Sequence, residues 1–352
     1  MKLKATTLNS SISPQKTNIK TAAWIIAHLF TFSSTPGWSH VDMKSGAFVH
    51  VWELQADPKS SKRSFEDADH PFFLIYNSQS KQRGLFGIGV CSVFDSRNRN
   101  GKYFQCNDRG EWSSHPKSPP WRGYELEFDT LGRVSKLVSE SQVWQVQYPS
   151  LTSVRIKSKD QDALFIVKND FVGSIIWKKS QSEFNFKNGL PYQVRTLDQK
   201  MGVIDEIEIQ ANERSQWTQM NRNQMRVFKA KYNNDGMIQQ LQGSGDCQEN
   251  YGYQTRSDGK SRLTLSTVVT RICLDKIVEK TKYQFTYQKV NKEVESGMLA
   301  LVEFLIEGPG RTNRMQFDPR SGLLILPKTE ELNSGYRERA IAKPGGESKT
   351  SQ

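Results

Sequence analysis

Three carboxylates crowd one alternating segment, VIDEIEIQ: Asp205, Glu206 and Glu208. Paired acids this close are the equipment of a glycosidase, and grouped carboxylate oxygens also suit a hard cation. Alternation along a strand places Glu206 and Glu208 on one face and Asp205 on the other. The simpler account is the solvent face of an antiparallel strand, with Arg195 and Lys200 near enough to neutralise the acids. Histidine chemistry is limited by position, because His28, His40, His50, His70 and His115 are the whole set and all lie in the first third. His50 reads as a strand residue, and His70 and His115 as loop residues, so surface or turn histidines fit better than a nucleophile's base. Gly84, Gly87 and Gly89 resemble a phosphate loop only in spacing. Neither a Lys-Ser/Thr pair nor a helical pattern follows them. Aromatic rings offer a different chemistry, stacking on sugars. Trp52, Trp112, Trp121, Trp144, Trp177 and Trp217 are candidates, with Trp121, Trp144, Trp177 and Trp217 taken as the binding set.

The four cysteines lack CxxC spacing and have no nearby histidine, so neither a metal site nor a cofactor is expected. An even count suits disulfides in an exported chain. Cys91 and Cys106 flank a hairpin signal whose turn ends in Asn100-Gly101; Cys247 and Cys273 flank Ser257-Asp258-Gly259-Lys260. Neither pair is in strict register about its turn, so each needs a bulge or longer loop to close. The expected bridges are Cys91–Cys106 and Cys247–Cys273.

Export is read from the N-terminus. Lys16 and Lys20 precede an apolar run, Thr21 to Phe32, and Gly37-Trp38-Ser39 supplies small residues at a cleavage site. The run is too short for a comfortable span, so residues 1–39 are read as a signal peptide. The first 38 residues hold Lys2, Lys4, Lys16 and Lys20 and no acid, so their loss lowers the formal charge from +12 to +8. The remaining Lys and Arg are interspersed with acids, which favours a solvated basic exterior over a nucleic-acid surface.

The positioning elements are strands. Ala47–Leu54, Pro71–Tyr76 and Leu85–Phe94 read as strands, and Asn107–Arg122 as a break, since His115–Trp121 holds three prolines. Beyond it five units recur: alternating aromatics, then Asp or Asn with Gly, then a second apolar strand. They begin at Tyr124, Phe184, Phe228, Tyr251 and Met315. Asn-Gly and Asp-Gly supply the positive φ of tight hairpins. Hairpin after hairpin implies an all-β fold, one extended antiparallel sheet of consecutive hairpins. Residues 331–352 are polar and read as a disordered tail.

Two stretches resemble a known family. Tyr76-Asn77-Ser78, followed by Gly84-Leu85-Phe86-Gly87 and Gly89, resembles the segment that opens the repeat region of Rhs and other YD-repeat proteins. Tyr124, Phe128-Asp129 and Gly132-Arg133 resemble the YD repeat itself. Val90 stands where the family usually has Trp, and the later units lack Gly-Arg. The resemblance implies a curved or spiralling sheet forming a partial shell, with 40–115 as an N-terminal module and 116–330 as a degenerate repeat array. It also implies encapsulation, adhesion or ligand binding at the cell surface or in the periplasm. The expected function is therefore non-catalytic binding of a carbohydrate or protein at the envelope. The alternatives are an envelope polysaccharide hydrolase using the acid pair and a shell-like fragment assisting an exported toxin.

Overall fold

The structure is a computed structural model that describes residues 37–54, 71–107, 109–257, 262–289, 299–318 and 324–325. Residues 1–36 of the expected signal peptide, the turn at Asp258-Gly259, the turn glycine Gly322 and the expected tail 331–352 lie outside the described residues.

The chain is built from strands. The first segment contributes β1 (Gly37–Val41), β2 (Phe48–Glu53), β3 (Phe73–Asn77), β4 (Arg83–Gly84), β5 (Gly87–Ile88) and β6 (Val90–Cys91). A turn of 3-10 helix at Val93–Asp95 follows, then β7 (Arg97–Arg99), β8 (Lys102–Cys106) and β9 (Trp112–His115). Strands β1, β2, β3 and β6 form one antiparallel sheet, and β7, β8 and β9 another. From β10 (Glu125–Phe128) to β27 (Leu324–Ile325) eighteen strands pair strictly in chain order, and the first does not meet the last. The open sheet of consecutive hairpins is as the sequence implied.

Three boundaries differ from expectation. The strand expected over Leu85–Phe94 is broken into β5, β6 and the 3-10 turn, because Gly87 and Gly89 adopt φ of 117° and 74°. Glycine reaches these angles freely, and they turn the chain out of a continuous strand. The expected break at 107–122 contains β9, so His115 is a strand residue rather than a loop residue. The expected boundary at residue 39 falls inside β1, whose Ser39 sits opposite His50 of β2.

The two segments do not have separate cores. Rings of the first segment pack on rings of the array throughout: Phe72 with Trp144 and Trp177, Phe86 with Phe165 and Phe184, Phe48 with Phe228. Contacts run from β12 (Val143–Ser150), through Trp144, to β24 (Lys276–Lys289), whose Tyr287 lies under Lys44. Twelve strand spacings at about 4.8 Å make about 58 Å of flat sheet. The six-residue β2 spans only about 20 Å. Both ends of that stretch reach the same small sheet only if the array curves around it. The partial shell is therefore filled on its inner face by the chain's own first segment.

Candidate binding surfaces

The inner surface explains the fate of the tryptophans. Trp121, Trp144, Trp177 and Trp217 are all buried, at 6% exposure or less. They do not form an exposed platform for sugars. Alternation placed them on the inward face, and the first segment covers that face. Trp52 is buried as well, and Trp112 is half-buried. The tightest contact is Trp217 stacked on Tyr76, centroids 4.0 Å apart and planes 2° apart. The Trp217 backbone N–H donates to the Tyr76 hydroxyl at 2.7 Å, and the Tyr232 hydroxyl donates to the Trp217 carbonyl at 2.9 Å. Burial pushes both phenols well above their ordinary range.

The resemblance residues of the first stretch brace the first segment internally and carry its contacts to the array. Asn77 donates to the Arg109 carbonyl, and the Ser78 hydroxyl accepts from the Phe48 N–H. The Leu85 carbonyl accepts from Val172, Ile88 donates to the Gly189 carbonyl, and the Ser78 carbonyl accepts from Gln216. Gly84 packs so closely on the Val90 carbonyl that a Cβ would lie 2.2 Å from it. Asp95, buried, accepts from the Leu85 and Ser92 N–H groups and the Ser92 hydroxyl. Burial raises its pKa, against those donors and Arg97.

The repeat residues build a turn that recurs. Asp129 N–H donates to the Arg133 carbonyl, and Gly132 N–H donates back to Asp129. The Asp129 carboxylate accepts from the N–H groups of Leu131 and Arg133, and its other oxygen pairs with the Arg133 guanidinium at 2.7 Å. Burial opposes ionisation here, but the N–H groups and guanidinium of Arg133 outweigh it and hold the carboxyl below its usual range. Arg133 also lies over the Tyr148 ring, 3.8 Å from its centroid. The same five-residue geometry closes at Asn107–Glu111, Asp198–Gly202, Asn212–Gln216 and Asn233–Met237. Sequence reading found the first turn and part of the last. It missed those at Asp198 and Asn212 because their left-handed positions hold Met201 and Ser215 instead of glycine. The signal that finds them is Asp or Asn five residues before the strand restart.

The acids separate as alternation required. Asp205 is buried on the inner face with Arg222 at 2.8 Å and Asn223 at 3.0 Å. Glu206 faces outward, bonded to Arg195 and Gln193 at 2.8 and 2.9 Å, and Glu208 is exposed beside it. Arg195 is the expected neutraliser; Arg222 is the one sequence reading missed. Asp205 and Glu206 therefore do not face one reacting atom across a cleft. His50 is buried, accepts or shares the Ser39 hydroxyl proton at 2.7 Å, and has its pKa pushed down to about 3 by burial. Among the described residues no group of three or more His, Cys, Asp or Glu could hold a metal.

Both expected disulfides are present. Cys91–Cys106 ties the first sheet to β8, across the 3-10 turn, with Cα atoms 6.6 Å apart. Cys247 and Cys273 are directly opposed on β22 (Cys247–Ser257) and β23 (Arg262–Cys273), their Cα atoms 4.2 Å apart. A bulge at Gln254–Thr255 supplies the register change that the sequence demanded.

Two open depressions lie on the sheet. One, of about 570 Å³, is lined by Lys231, Gln240, Asn250, Thr270 and Lys280, with Gly252 beside them. The first five are in direct register, Lys231 opposite Gln240, then Asn250, Thr270 and Lys280 on successive strands. Gln240 donates to Gln248 at 2.9 Å and Asn250 at 3.3 Å, which fixes the row of amides. The other depression, of about 900 Å³, is lined by Arg155, Lys157, Asp162, Leu164 and Ile176, and the edge of Trp177 reaches it.

No family model matches the chain, and no curated protein matches it. Solved structures do. One is the Photorhabdus luminescens Tc holotoxin pore with the mutation TccC3-D651A, at TM-score 0.25 and 8% identity, covering 83% of this chain and 12% of that one. Another is a TcdB2-TccC3-Cdc42 complex, at TM-score 0.28 and 9% identity, covering 67% and 15%. The chain spans less than a fifth of the length of either, and likeness this loose carries no function across.

Among the described residues no helix is long and apolar enough to cross a membrane.

Proposed function

We propose that the chain is an exported, non-catalytic binding module of the cell envelope that takes a polysaccharide on the outer face of its array. The observation that supports this most is the filling of the inner face. With residues of the first segment packed from Trp144 to Tyr287, the polar surface the array presents is its outer one. The row Lys231, Gln240, Asn250, Thr270 and Lys280 offers amides and a hydroxyl, groups that both donate to and accept from sugar hydroxyls. Lysines at both ends suit acidic sugars. Gly252 adds no side chain to the depression, and a Cβ there would meet one backbone atom at 4.0 Å. For the alternative, a shell-like fragment assisting an exported toxin, any cargo would have to sit away from the inner face that β1–β6 already cover.

The test is a glycan array of acidic and neutral polysaccharides probed with the full chain. Retention of an acidic polysaccharide is expected, weakened about tenfold by Gln240→Ala with Asn250→Ala, the loss of about 1.4 kcal/mol of hydrogen bonding. Absence of retention on every polysaccharide overturns the carbohydrate reading and leaves a protein partner.

A further inference from the structure

Successive hairpins of the array turn alternately at two rims. At one rim lie the turns at 129–133, 169–170, 188–189, 212–216 and 233–237. These meet the first segment: Asn98 at Gly132, Arg83 at Asn169, Ile88 at Gly189, Lys81 at Arg214 and Gly46 at Ile238. At the opposite rim lie the turns at 158–161, 178–179, 199–202, 223–224, 243–246 and 274–275.

This second, open rim carries apolar side chains into solvent. Met201 and Val203 stand at one hairpin, Met225 at the next, and Leu274, Ile277 and Val278 at the hairpin after 243–246. Leu274 is 76% exposed, Met225 72% and Ile277 68%. The docked rim exposes fewer, Leu131, Leu151 and Tyr192, though Leu151 is almost fully exposed. Next to Leu274, Cys273 is bonded to Cys247 of the neighbouring strand β22. Interleaved with the apolar tips are exposed lysines, Lys157, Lys159, Lys178, Lys179, Lys200 and Lys276. Exposed acids at the same rim are fewer: Glu140, Asp160, Asp246 and Asp275.

The start of β1 points the same way. Gly37 pairs with Trp52, and Trp52 with Leu74, so Gly37 lies at the Phe72 end of the first sheet. The Phe72 ring is 4.8 Å from Trp177, which immediately precedes the open-rim turn 178–179. The apolar run Thr21–Phe32 is joined to Gly37 through four intervening residues, a reach of at most about 17 Å. Aliphatic tips, lysines and the start of β1 lie at one end of the molecule. Apolar side chains inserted at the headgroup boundary, with lysines beside them, are how a protein rests on a charged bilayer.

We propose that the open rim docks on a lipid surface bearing anionic headgroups. This does not rest on the polysaccharide reading, since Gln240 and Asn250 lie in mid-sheet. The test is amine acetylation of the full chain, read residue by residue by mass spectrometry, with and without vesicles of phosphatidylcholine mixed with phosphatidylglycerol. Lys178, Lys200 and Lys276 are expected to lose reactivity with the mixed vesicles, and Lys187 at the docked rim to keep it. Residue resolution separates rim contact from mere attachment through the Thr21–Phe32 run. Leu274→Ser with Ile277→Ser and Val278→Ser is expected to restore labelling of Lys276. Removing one rim lysine, as in Lys276→Gln, is expected to weaken partitioning about fivefold. Unchanged rim labelling with vesicles overturns the proposal, and so does equal protection of Lys187. Protection that survives the triple substitution also overturns it. The wild-type footprint decides the matter even where a variant fails to fold.

Discussion

The two rims of the array share a backbone grammar and differ in what meets them. At the docked rim the turn Asp129–Arg133 receives the Asn98 backbone, and Gly132 is the residue that lets it approach. At the open rim the turn Asp198–Gly202 has the same hydrogen bonds, yet its left-handed position holds Met201, largely exposed. Glycine is thus required where a second backbone arrives, not by the turn alone. The family-like Gly-Arg marks a docking point, and its absence from later units marks turns that need less room.

Substituting the two rims separates these roles. A Cβ on Gly132 would lie 1.8 Å from the Asn98 carbonyl oxygen, so Gly132→Ala must displace the first turn of the array from the first segment. A loss of about 4 kcal/mol is expected, read as a shift of the urea midpoint. Gly310 at the open rim has a similar φ of 68° and nothing within 4 Å of a built Cβ. Gly310→Ala should cost only the left-handed strain, about 1 to 2 kcal/mol. Met201→Gly, which relieves that strain, should stabilise by about 1 kcal/mol. Equal losses at Gly132 and Gly310 would break the comparison.

The sequence carried the hairpins because their causes are local. Asn100-Gly101 and Asn188-Gly189 take positive φ at both positions, and alternation in VIDEIEIQ put Asp205 opposite to Glu206. Alternation also showed which residues share a face, but not what lies against that face. Trp144, Trp177 and Trp217 were legible as one-sided and not as covered, because their partners Phe72 and Tyr76 are 72, 105 and 141 positions away in sequence. The amide row was hidden for the same reason, since it draws single residues from five strands.

The docked interface titrates, and acid provides a second way to test it. His50 lies on β2 against Phe228 of the array, 5.4 Å between rings, with its pKa pushed down to about 3 by burial. An unfolded histidine takes a proton near pH 6.5, and the folded one does not until about pH 3. Unfolding therefore takes up a proton between those limits, and stability falls as pH drops through them. By pH 4 the loss from His50 is about 3 kcal/mol. His50→Asn keeps an acceptor for Ser39 and removes the titration. Its urea midpoint should fall less steeply from pH 6.5 to pH 4 than that of the wild type. Parallel acid limbs would mean that His50 is not held neutral by the packing of the two sheets.

The most local test lies at the centre of the junction. The Tyr76 hydroxyl is the acceptor for the buried Trp217 N–H, while its ring supplies the stacking. Tyr76→Phe keeps the ring and strands the N–H, a cost of about 2 kcal/mol. Met225→Ser at the open rim removes an exposed side chain and should stay within about 0.5 kcal/mol. Tyr232 donates to the Trp217 carbonyl from the neighbouring side, so Tyr232→Phe combined with Tyr76→Phe should depart from additivity. Such coupling would show that Tyr76 and Tyr232 hold one residue of the array, Trp217, between them. Additive losses would reduce Tyr76 to a packing residue and leave the backbone contacts at Gly132, Gly189 and Ile238 to set the junction.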